Sequence, residues 1–250
     1  MLADKTAVVT GGASGIGRAI AEEYANHGAN VVIGDIRRDP RQGGVPTAEL
    51  INEQDGEAMH VEADVTKYAD VQALVDTAVD EYGSIDVMVN NAGILQQTRL
   101  HETPVEDWEE LMRINVDGVY YGTKAALNHM TEQASGSIVN ISSISGKIGR
   151  ANAPAYCASK GAVTMMTRQN AIDYGPKGIR VNAVGPGGTL TAMVNEIMSE
   201  ERQSYLEDAT PLRRLAEPEE IANVATFLAS DMASYVNGHV LIADGGFSIV

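Results

Sequence analysis

The chain opens with a strand, a glycine-rich turn, a helix and a second strand, and this order constrains the fold more than any other feature. Residues 6–10 form a short apolar run rich in β-branched side chains, which predicts a buried strand. The turn over 11–17 (GGASGIG) is followed by a predicted helix over 18–27 and a strand over 30–35. This βαβ unit predicts a parallel sheet.

The glycines of this turn suit one kind of ligand. A turn without side chains lets a dinucleotide pyrophosphate approach backbone N–H groups at a helix N-terminus. Gly11, Gly15 and Gly17 have the spacing Gly-x-x-x-Gly-x-Gly, which is informative here because it lies between a predicted strand and a predicted helix.

Asp35, at the end of the second strand, bears on which dinucleotide binds. A carboxylate there accepts both adenosine ribose hydroxyls and repels a 2′-phosphate. Arg37 and Arg38 point the other way, since either could pair with that phosphate, whereas Ser14 brings no positive charge. We weigh Asp35 more heavily and predict NAD rather than NADP.

The rest of the chain repeats the alternation of strands and helices. Further strands are predicted over 58–64, 85–90, 137–142, 179–184 and 239–243, and helices over 48–55, 68–82, 105–133, 154–174, 190–206 and 218–230. We therefore predict an α/β fold with a doubly wound parallel sheet in three layers, α/β/α, as one domain over 1–250. A polar Pro/Gly loop, Arg38 to Thr47, resembles an insertion that covers the adenosine end or is mobile.

Composition limits the partners. The net charge of −16 argues against nucleic acid and anionic membranes. Arginine outnumbers the scarce lysine, so the acidic surface is either an adaptation to a salt-rich cytoplasm or an ordinary solvated surface. A single cysteine and five histidines without ligand spacing lead us to expect no disulfide and no metal. No leader is recognisable and no apolar stretch approaches the roughly 20 residues that span a bilayer, so we expect a cytoplasmic protein.

Tyr156 and Lys160 are the candidate catalytic pair. Their spacing of four residues puts both side chains on one face of the predicted helix over 154–174. A neighbouring ammonium would lower the tyrosine pKa and favour proton transfer near neutral pH. Ser143, just beyond a strand, could hold a substrate oxygen against the phenol, whereas we expect Ser142 to be a turn or N-cap residue. Cys157 is interpreted as a small buried helix residue.

In open parallel sheets, ligands bind beyond the carboxyl ends of the strands. Small polar or glycine-rich groups stand at each of these predicted ends: Gly11–Gly17, Asp35, Asp64-Val65, Asn91–Gly93, Ser142-Ser143 and Pro186-Gly187.

Taken together, these motifs resemble the short-chain dehydrogenase/reductase family over essentially the whole chain. The residues that carry the resemblance are Thr10-Gly-Gly-Ala-Ser-Gly-Ile-Gly17, Asn90-Asn-Ala-Gly93, Asn115, Ser143, Tyr156-x-x-x-Lys160 and Pro186-Gly187 with Thr191. The resemblance implies a catalytic set of Asn115, Ser143, Tyr156 and Lys160. Tyr156 would be the general acid/base, Lys160 would lower its pKa and hold the nicotinamide ribose, and Asn115 would hold a water that relays protons.

The resemblance and the strand ends together imply the cofactor-binding set. It comprises Gly11, Ser14, Gly15, Ile16, Gly17, Asp35, Ile36, Asp64, Val65, Asn91, Ala92, Gly93, Tyr156, Lys160, Pro186, Gly187, Thr189 and Thr191. Helices around 105–133 and 154–174 would pack against other subunits, usually in a homotetramer.

The sequence leaves the substrate open. Contacts are expected from Leu95, Gln96, Ser145, Arg150 and Met193, and from a mobile lid over about 188–215. A hydroxylated or anionic substrate and an apolar cyclic alcohol both suit these residues. We expect hydride transfer between NAD and the CH–OH or C=O group of a secondary alcohol, sugar or ketone. The alternatives are an NADPH-dependent 3-oxoacyl-thioester (acyl carrier protein) reductase and a non-catalytic nucleotide-sensing or scaffold protein.

Overall fold

A computed structural model describes residues 1–192 and 199–250. Within these ranges seven parallel strands form one sheet: β1 (Thr6–Thr10), β2 (Asn30–Asp35), β3 (Glu57–Glu62), β4 (Val87–Asn90), β5 (Gly136–Ile141), β6 (Ile179–Pro186) and β7 (Val240–Ala243). Their order across the sheet is β3-β2-β1-β4-β5-β6-β7. The order reverses direction at β1 and β4, which is the point where open α/β sheets bind ligands.

Eight α-helices cover the sheet within the described residues. They are α1 (Gly15–Asn26), α2 (Thr47–Glu53), α3 (Tyr68–Tyr82), α4 (Val105–Met112), α5 (Gly118–Gln133), α6 (Pro154–Tyr174), α7 (Glu200–Ala209) and α8 (Pro218–Ala229). None of the helices in the described ranges is long and apolar enough to cross a bilayer.

Adjacent residues of β1 belong to opposite cores, which defines the three layers. Val9 packs in a core with Ile20 of α1 and Leu228 of α8. Val8 packs in a second core with Leu74 of α3. Residues of α5 and α6 complete this core on the other face of the sheet. Because successive strand residues point to opposite faces, continuous apolar strands such as β1 fill both cores. The predicted three-layer α/β/α fold is confirmed.

The helix predicted over 105–133 is interrupted. A wide π-helical turn at Arg113–Asp117 separates α4 from α5 and places Asn115 in the interior, fully buried. Single π turns inside α-helices reposition a side chain, often at functional sites. The sequence pattern also fits a continuous helix, so this turn was not predicted.

Within the described residues, the helical region predicted over 190–206 is matched by helix α7, which ends three residues later, at Ala209. Helix α7 begins at Glu200, where the Ser199 Oγ atom accepts a hydrogen bond from the Arg202 N–H group at 3.2 Å. Before the gap, Thr189 pairs with Ala216 in an isolated parallel bridge. The part of the prediction over 193–198 lies outside the described residues.

Candidate active site

A cavity of about 590 Å³ lies along the carboxyl edge of the sheet. Of the predicted cofactor-binding residues, all but Gly17 line it: Gly11, Ser14, Gly15, Ile16, Asp35, Ile36, Asp64, Val65, Asn91, Ala92, Gly93, Tyr156, Lys160, Pro186, Gly187, Thr189 and Thr191. The fold therefore brings residues from both halves of the chain to one groove.

The glycine turn needs its glycines for two different reasons. Gly11 has a φ of +66°, a left-handed conformation that residues with a Cβ atom rarely adopt. Gly17 lies just outside the cavity, and a Cβ atom there would meet the Gly11 carbonyl oxygen at 2.3 Å and the Asn91 Nδ2 atom at 2.3 Å. Asn91 Nδ2 also donates to the Thr10 carbonyl oxygen at 2.9 Å, so this packing joins the turn to the end of β4. Backbone N–H groups at the start of α1 lack partners within the helix and suit a pyrophosphate.

Asp35 is oriented by backbone N–H groups at its two oxygens. Its Oδ2 atom accepts from the Ala13 N–H group and its Oδ1 atom from the Arg37 N–H group, each at 3.1 Å. Each carboxylate oxygen keeps a second lone pair for a ligand hydroxyl. Arg37 and Arg41 line the same end of the cavity, so positive charge stands close to this carboxylate.

The polar loop over 38–47 packs on the glycine turn. The Arg41 N–H group donates to the Ser14 Oγ atom at 2.8 Å, and Arg18 Nη1 donates to the Val45 carbonyl oxygen at 2.8 Å. Thr47 Oγ1 donates to the Gly12 carbonyl oxygen at 3.0 Å. Of the two alternatives for this loop, these contacts and the position of Arg41 in the cavity wall support coverage of the adenosine end.

Tyr156 lies half-buried in the cavity wall, and Ser143 lines the same wall close enough to stabilise the phenolate. Loss of contact with bulk water raises the Tyr156 pKa above its ordinary value, while Ser143 and Arg150 oppose the rise. The expectation of a lowered tyrosine pKa is therefore wrong. The physical reason is that desolvation of the phenolate exceeds the stabilisation by its neighbours.

Lys160 is on the same face of α6 as predicted, but it is buried. Its Nζ atom lies 5.7 Å from the centre of the Tyr156 ring and donates to the Ile141 carbonyl oxygen at 2.7 Å. Burial lowers the pKa of Lys160 to about 8. Lys160 lies one helical turn from the phenol, and with this lowered pKa it can change its charge near pH 8.

Asn115 joins the π turn to the cofactor groove. Its Oδ1 atom accepts from the Ile94 N–H group at 2.8 Å, and its Nδ2 atom donates to the Ile94 carbonyl oxygen at 2.9 Å and to Ser159 Oγ at 3.2 Å. A Cβ atom on Gly93 would come within 3.2 Å of Asn115 Oδ1 and 3.7 Å of Lys160 Nζ. The side chain therefore positions the segment after β4, and its role in a water relay stays a prediction.

The two serines after β5 have exchanged the expected capping role. Ser143 Oγ accepts from the Ser145 N–H group at 3.1 Å and caps a short 3-10 turn, Ile144–Gly146, in addition to contacting Tyr156. Ser142 Oγ instead donates to the Lys160 carbonyl oxygen at 3.2 Å. The expectation that Ser142 is the cap and Ser143 is not is wrong, because Ser142 points at α6.

The substrate end matches the predicted contacts in part. Leu95, Ser145 and Arg150 line the cavity, but Gln96 does not; its buried Oε1 atom has no hydrogen-bond partner. The prediction that Gln96 lines the substrate end is therefore corrected, and Met193 lies outside the described residues. Lining residues that the sequence reasoning did not single out include Ile144, Ile148, Arg202, Tyr205, Leu206 and Phe247.

Some of these unpredicted lining residues could have been identified from the sequence. Phe247 follows the last strand and the Asp244-Gly-Gly turn, so its position beyond the carboxyl end of a strand could have been predicted. Arg202, Tyr205 and Leu206 lie inside the segment predicted as a lid, but which face of their helix meets the cavity depends on tertiary packing. Among the described residues, no cluster of three His, Cys, Asp or Glu side chains could hold a metal ion.

Comparison with known proteins agrees with this geometry. A family model described as enoyl-(acyl carrier protein) reductase matches residues 11–248. The chain is 44% identical to cis-4-hydroxycyclohexanecarboxylate dehydrogenase of Sinomonas cyclohexanicum, covering 99% of this chain and 98% of the relative. It is 43% identical to glucose 1-dehydrogenase 2 of Bacillus subtilis, covering 99% and 96%. A gluconate 5-dehydrogenase structure from Burkholderia cenocepacia, in complex with NADP and tartrate, has 33% identity and a TM-score of 0.93, covering 100% and 97%.

A parallel sheet with a dinucleotide groove and a tyrosine–lysine pair defines an oxidoreductase that uses a nicotinamide nucleotide. The chain belongs to the short-chain dehydrogenase/reductase family and is an NAD(P)-dependent oxidoreductase of alcohol and ketone groups.

Proposed function

We propose that this protein is an NAD-dependent dehydrogenase of a secondary alcohol, in which Tyr156 exchanges the hydroxyl proton. The observation that carries the proposal is the meeting of Tyr156, Ser143 and buried Lys160 in the wall of the groove that the glycine turn begins. The domain would be a single unit over 1–250, with the segment around 188–215 as its lid.

The residues present fit a nicotinamide dinucleotide. The turn at Gly11–Gly17 would hold the pyrophosphate, Asp35 the adenosine ribose, and Asp64 with Val65 the adenine. Lys160 would hold the nicotinamide ribose, and Thr189 and Thr191 would contact the carboxamide and phosphates. The small residues Ala92, Gly93 and Gly187 line the groove, and a Cβ atom at Gly93 would lie 3.2 Å from Asn115 Oδ1.

The side chains around the Tyr156 phenol indicate how the substrate proton would be transferred. The nicotinamide ring, when bound, supplies the hydride acceptor or donor. Ser143 donates to the substrate oxygen and holds it at the Tyr156 Oη atom. Tyr156 accepts the hydroxyl proton in oxidation and returns it in reduction, with Lys160 stabilising the phenolate in its charged form. Asn115 keeps the segment at Ile94 in register with these groups.

Mutation of the phenol tests this mechanism. We expect Tyr156→Phe to retain NAD binding and to lose turnover by about 10²- to 10⁴-fold, because the proton acceptor is removed. Tyr235→Phe is the matched control, since that side chain is fully exposed. A Tyr156→Phe enzyme with near-native turnover would refute the assignment.

Asp35 supports NAD as the preferred cofactor, whereas Arg37 and Arg41 offer charge that a 2′-phosphate could use. Thermal stabilisation by NAD should exceed that by NADP, and Asp35→Ser should remove the difference. Asp39→Ser is the control, because Asp39 is exposed on the same loop and does not line the cavity. Equal stabilisation of the native protein by both nucleotides would contradict the NAD assignment. A 3-oxoacyl-thioester reductase that uses NADPH is disfavoured for the same reason, and a non-catalytic role is disfavoured by the intact tyrosine–lysine pair.

The protein is also proposed to act as a homotetramer in the cytoplasm. Large apolar side chains are exposed on α5 and α6, including Tyr120, Met165 and Ile172. Met165 and Ile172 are seven residues apart and so share one helix face. Light scattering after gel filtration will give the mass of the assembly, and a monomer would refute this part of the proposal.

A further inference from the structure

The charges lining the cavity are unevenly distributed. Among the described residues of its wall, the carboxylates are Asp35 and Asp64, both at the end next to the glycine turn. The basic side chains of the wall are Arg37 and Arg41, at the same end as Asp35, together with Arg150, Lys160 and Arg202. The chain as a whole carries a net charge of −16, so arginines of the wall that form no ion pair with a described acidic residue stand out.

Neither the Arg150 nor the Arg202 guanidinium is neutralised within residues 1–192 and 199–250. The ion pairs described there involve other arginines, such as Arg18, Arg38, Arg213 and Arg214. Arg150 is half-buried and close enough to the Tyr156 phenol to influence it electrostatically. Such a position strengthens an interaction with an anion, because partial exclusion of water reduces screening.

Arg202 contributes to the cavity wall from helix α7. It lies in the first turn of α7, and its guanidinium stacks on the Tyr205 ring with 5.0 Å between the charged carbon and the ring centre. A cation–π contact of this kind restricts the arginine, and its N–H groups can still donate to a carboxylate. Tyr205 also lines the cavity.

The cavity wall that includes the two arginines also contains several apolar side chains. Leu95, Ile144, Ile148, Leu206 and Phe247 line the cavity, and Ser145 contributes a buried hydroxyl. A sugar with several hydroxyls would need paired donors and acceptors along its length, because buried polar groups without partners are costly. This wall instead suits a hydrocarbon ring or a branched chain.

We propose, on the basis of the dehydrogenase activity above, that the substrate is an apolar carbon skeleton with a secondary hydroxyl or ketone and a carboxylate, and that Arg150 and Arg202 bind this carboxylate. The hydroxyl lies at Tyr156 and Ser143, the carboxylate lies at the two arginines, and the carbon skeleton packs against the apolar side chains. The two arginines are substrate-binding residues, and they set the preference for acids over neutral alcohols.

Binding of a compound that cannot react separates this proposal from the dehydrogenase function. The probe is cyclohexanecarboxylate, compared with cyclohexanecarboxamide, and binding to the protein saturated with NAD is measured by calorimetry. We expect the acid to bind about 10- to 100-fold more tightly than the amide, the range for hydrogen bonds to a charged group. Arg150→Ala and the double variant Arg150→Ala/Arg202→Ala should lose this preference.

Lys177→Ala is the matched control, because it removes one exposed positive charge that does not line the cavity. It should keep the native preference for the acid. Equal binding of acid and amide by the native protein, or an unchanged preference in the double variant, would overturn the proposal. Weaker NAD binding in place of weaker acid binding would also overturn it, since the arginines would then serve the cofactor.

Turnover is scored separately with 4-hydroxycyclohexanecarboxylate and its amide. A native protein that prefers the acid in binding but reduces no NAD with either compound retains the carboxylate site and loses the proposed dehydrogenase function. If the amide is oxidised as efficiently as the acid, the dehydrogenase function is supported and the proposed carboxylate site is refuted.

Discussion

At the residue scale, the burial of Lys160 affects how the free energy of unfolding depends on pH. Its ammonium is removed from water and bonded to one carbonyl oxygen, which lowers the pKa to about 8 from 10.5. Between these two values the unfolded chain binds a proton that the folded chain has released. The free energy of unfolding therefore rises with pH through this window.

Replacement of this lysine removes that pH dependence. In urea denaturation without cofactor, the native protein should gain on the order of 1 kcal/mol between pH 8 and pH 10 relative to Lys160→Met. Lys177→Met is the control, since Lys177 is exposed. Parallel pH profiles for the native protein and Lys160→Met would show that the ammonium is not penalised by burial.

Two glycines in helices make opposite predictions at the same scale. Gly17→Ala places a Cβ atom 2.3 Å from a backbone oxygen, so α1 must shift, and both stability and dinucleotide binding should fall. Gly161→Ala, inside α6, meets no atom within 4 Å and should raise the free energy of unfolding by about 0.5–1 kcal/mol. Thermal unfolding with and without NAD measures both effects. A tolerated Gly17→Ala would mean that the turn is not packed as described.

At the element scale, the π turn between α4 and α5 is held to the groove by one buried side chain. Asn115→Ala removes both hydrogen bonds to the Ile94 backbone and leaves those groups unpaired, so we expect a loss of about 1–3 kcal/mol. Catalysis should fall as well, because the segment beside Lys160 loses its anchor. Asn128→Ala removes an exposed amide of α5 and should change stability little. Similar losses in both variants would indicate a general helix effect.

Elements also mark the boundary of what could be predicted from the sequence. Strong apolar runs predicted β1, β2, α3 and α6 closely, because local pattern alone determines them. The π turn at 113–117 could not be predicted, since the same apolar periodicity fits a continuous helix. The sequence motif placed Tyr156 and Ser143 together correctly, but it gave the wrong direction for the tyrosine pKa, which depends on how much water the folded chain excludes.

At the scale of the whole molecule, the acidic surface allows a test of the two interpretations of the composition. With a net charge of −16, self-repulsion opposes the compact state at low ionic strength. A salt-adapted protein should gain stability continuously into molar KCl, whereas an ordinary acidic surface should gain only up to about 0.1–0.2 M, where exposed charges are already screened. Melting temperature measured against KCl concentration distinguishes them, and no gain in molar salt removes the adaptation hypothesis.

The central position of β1 in the sheet has a consequence for synthesis. This strand is made first, yet one of its neighbours is β4, which ends at Asn90. A nascent chain on the ribosome therefore presents one edge of β1 with unpaired backbone N–H and C=O groups until Asn90 has emerged. Such edges can pair with other chains. Translation pauses before residue 87 lengthen this exposure, so chaperone supply during synthesis should govern the yield of active protein.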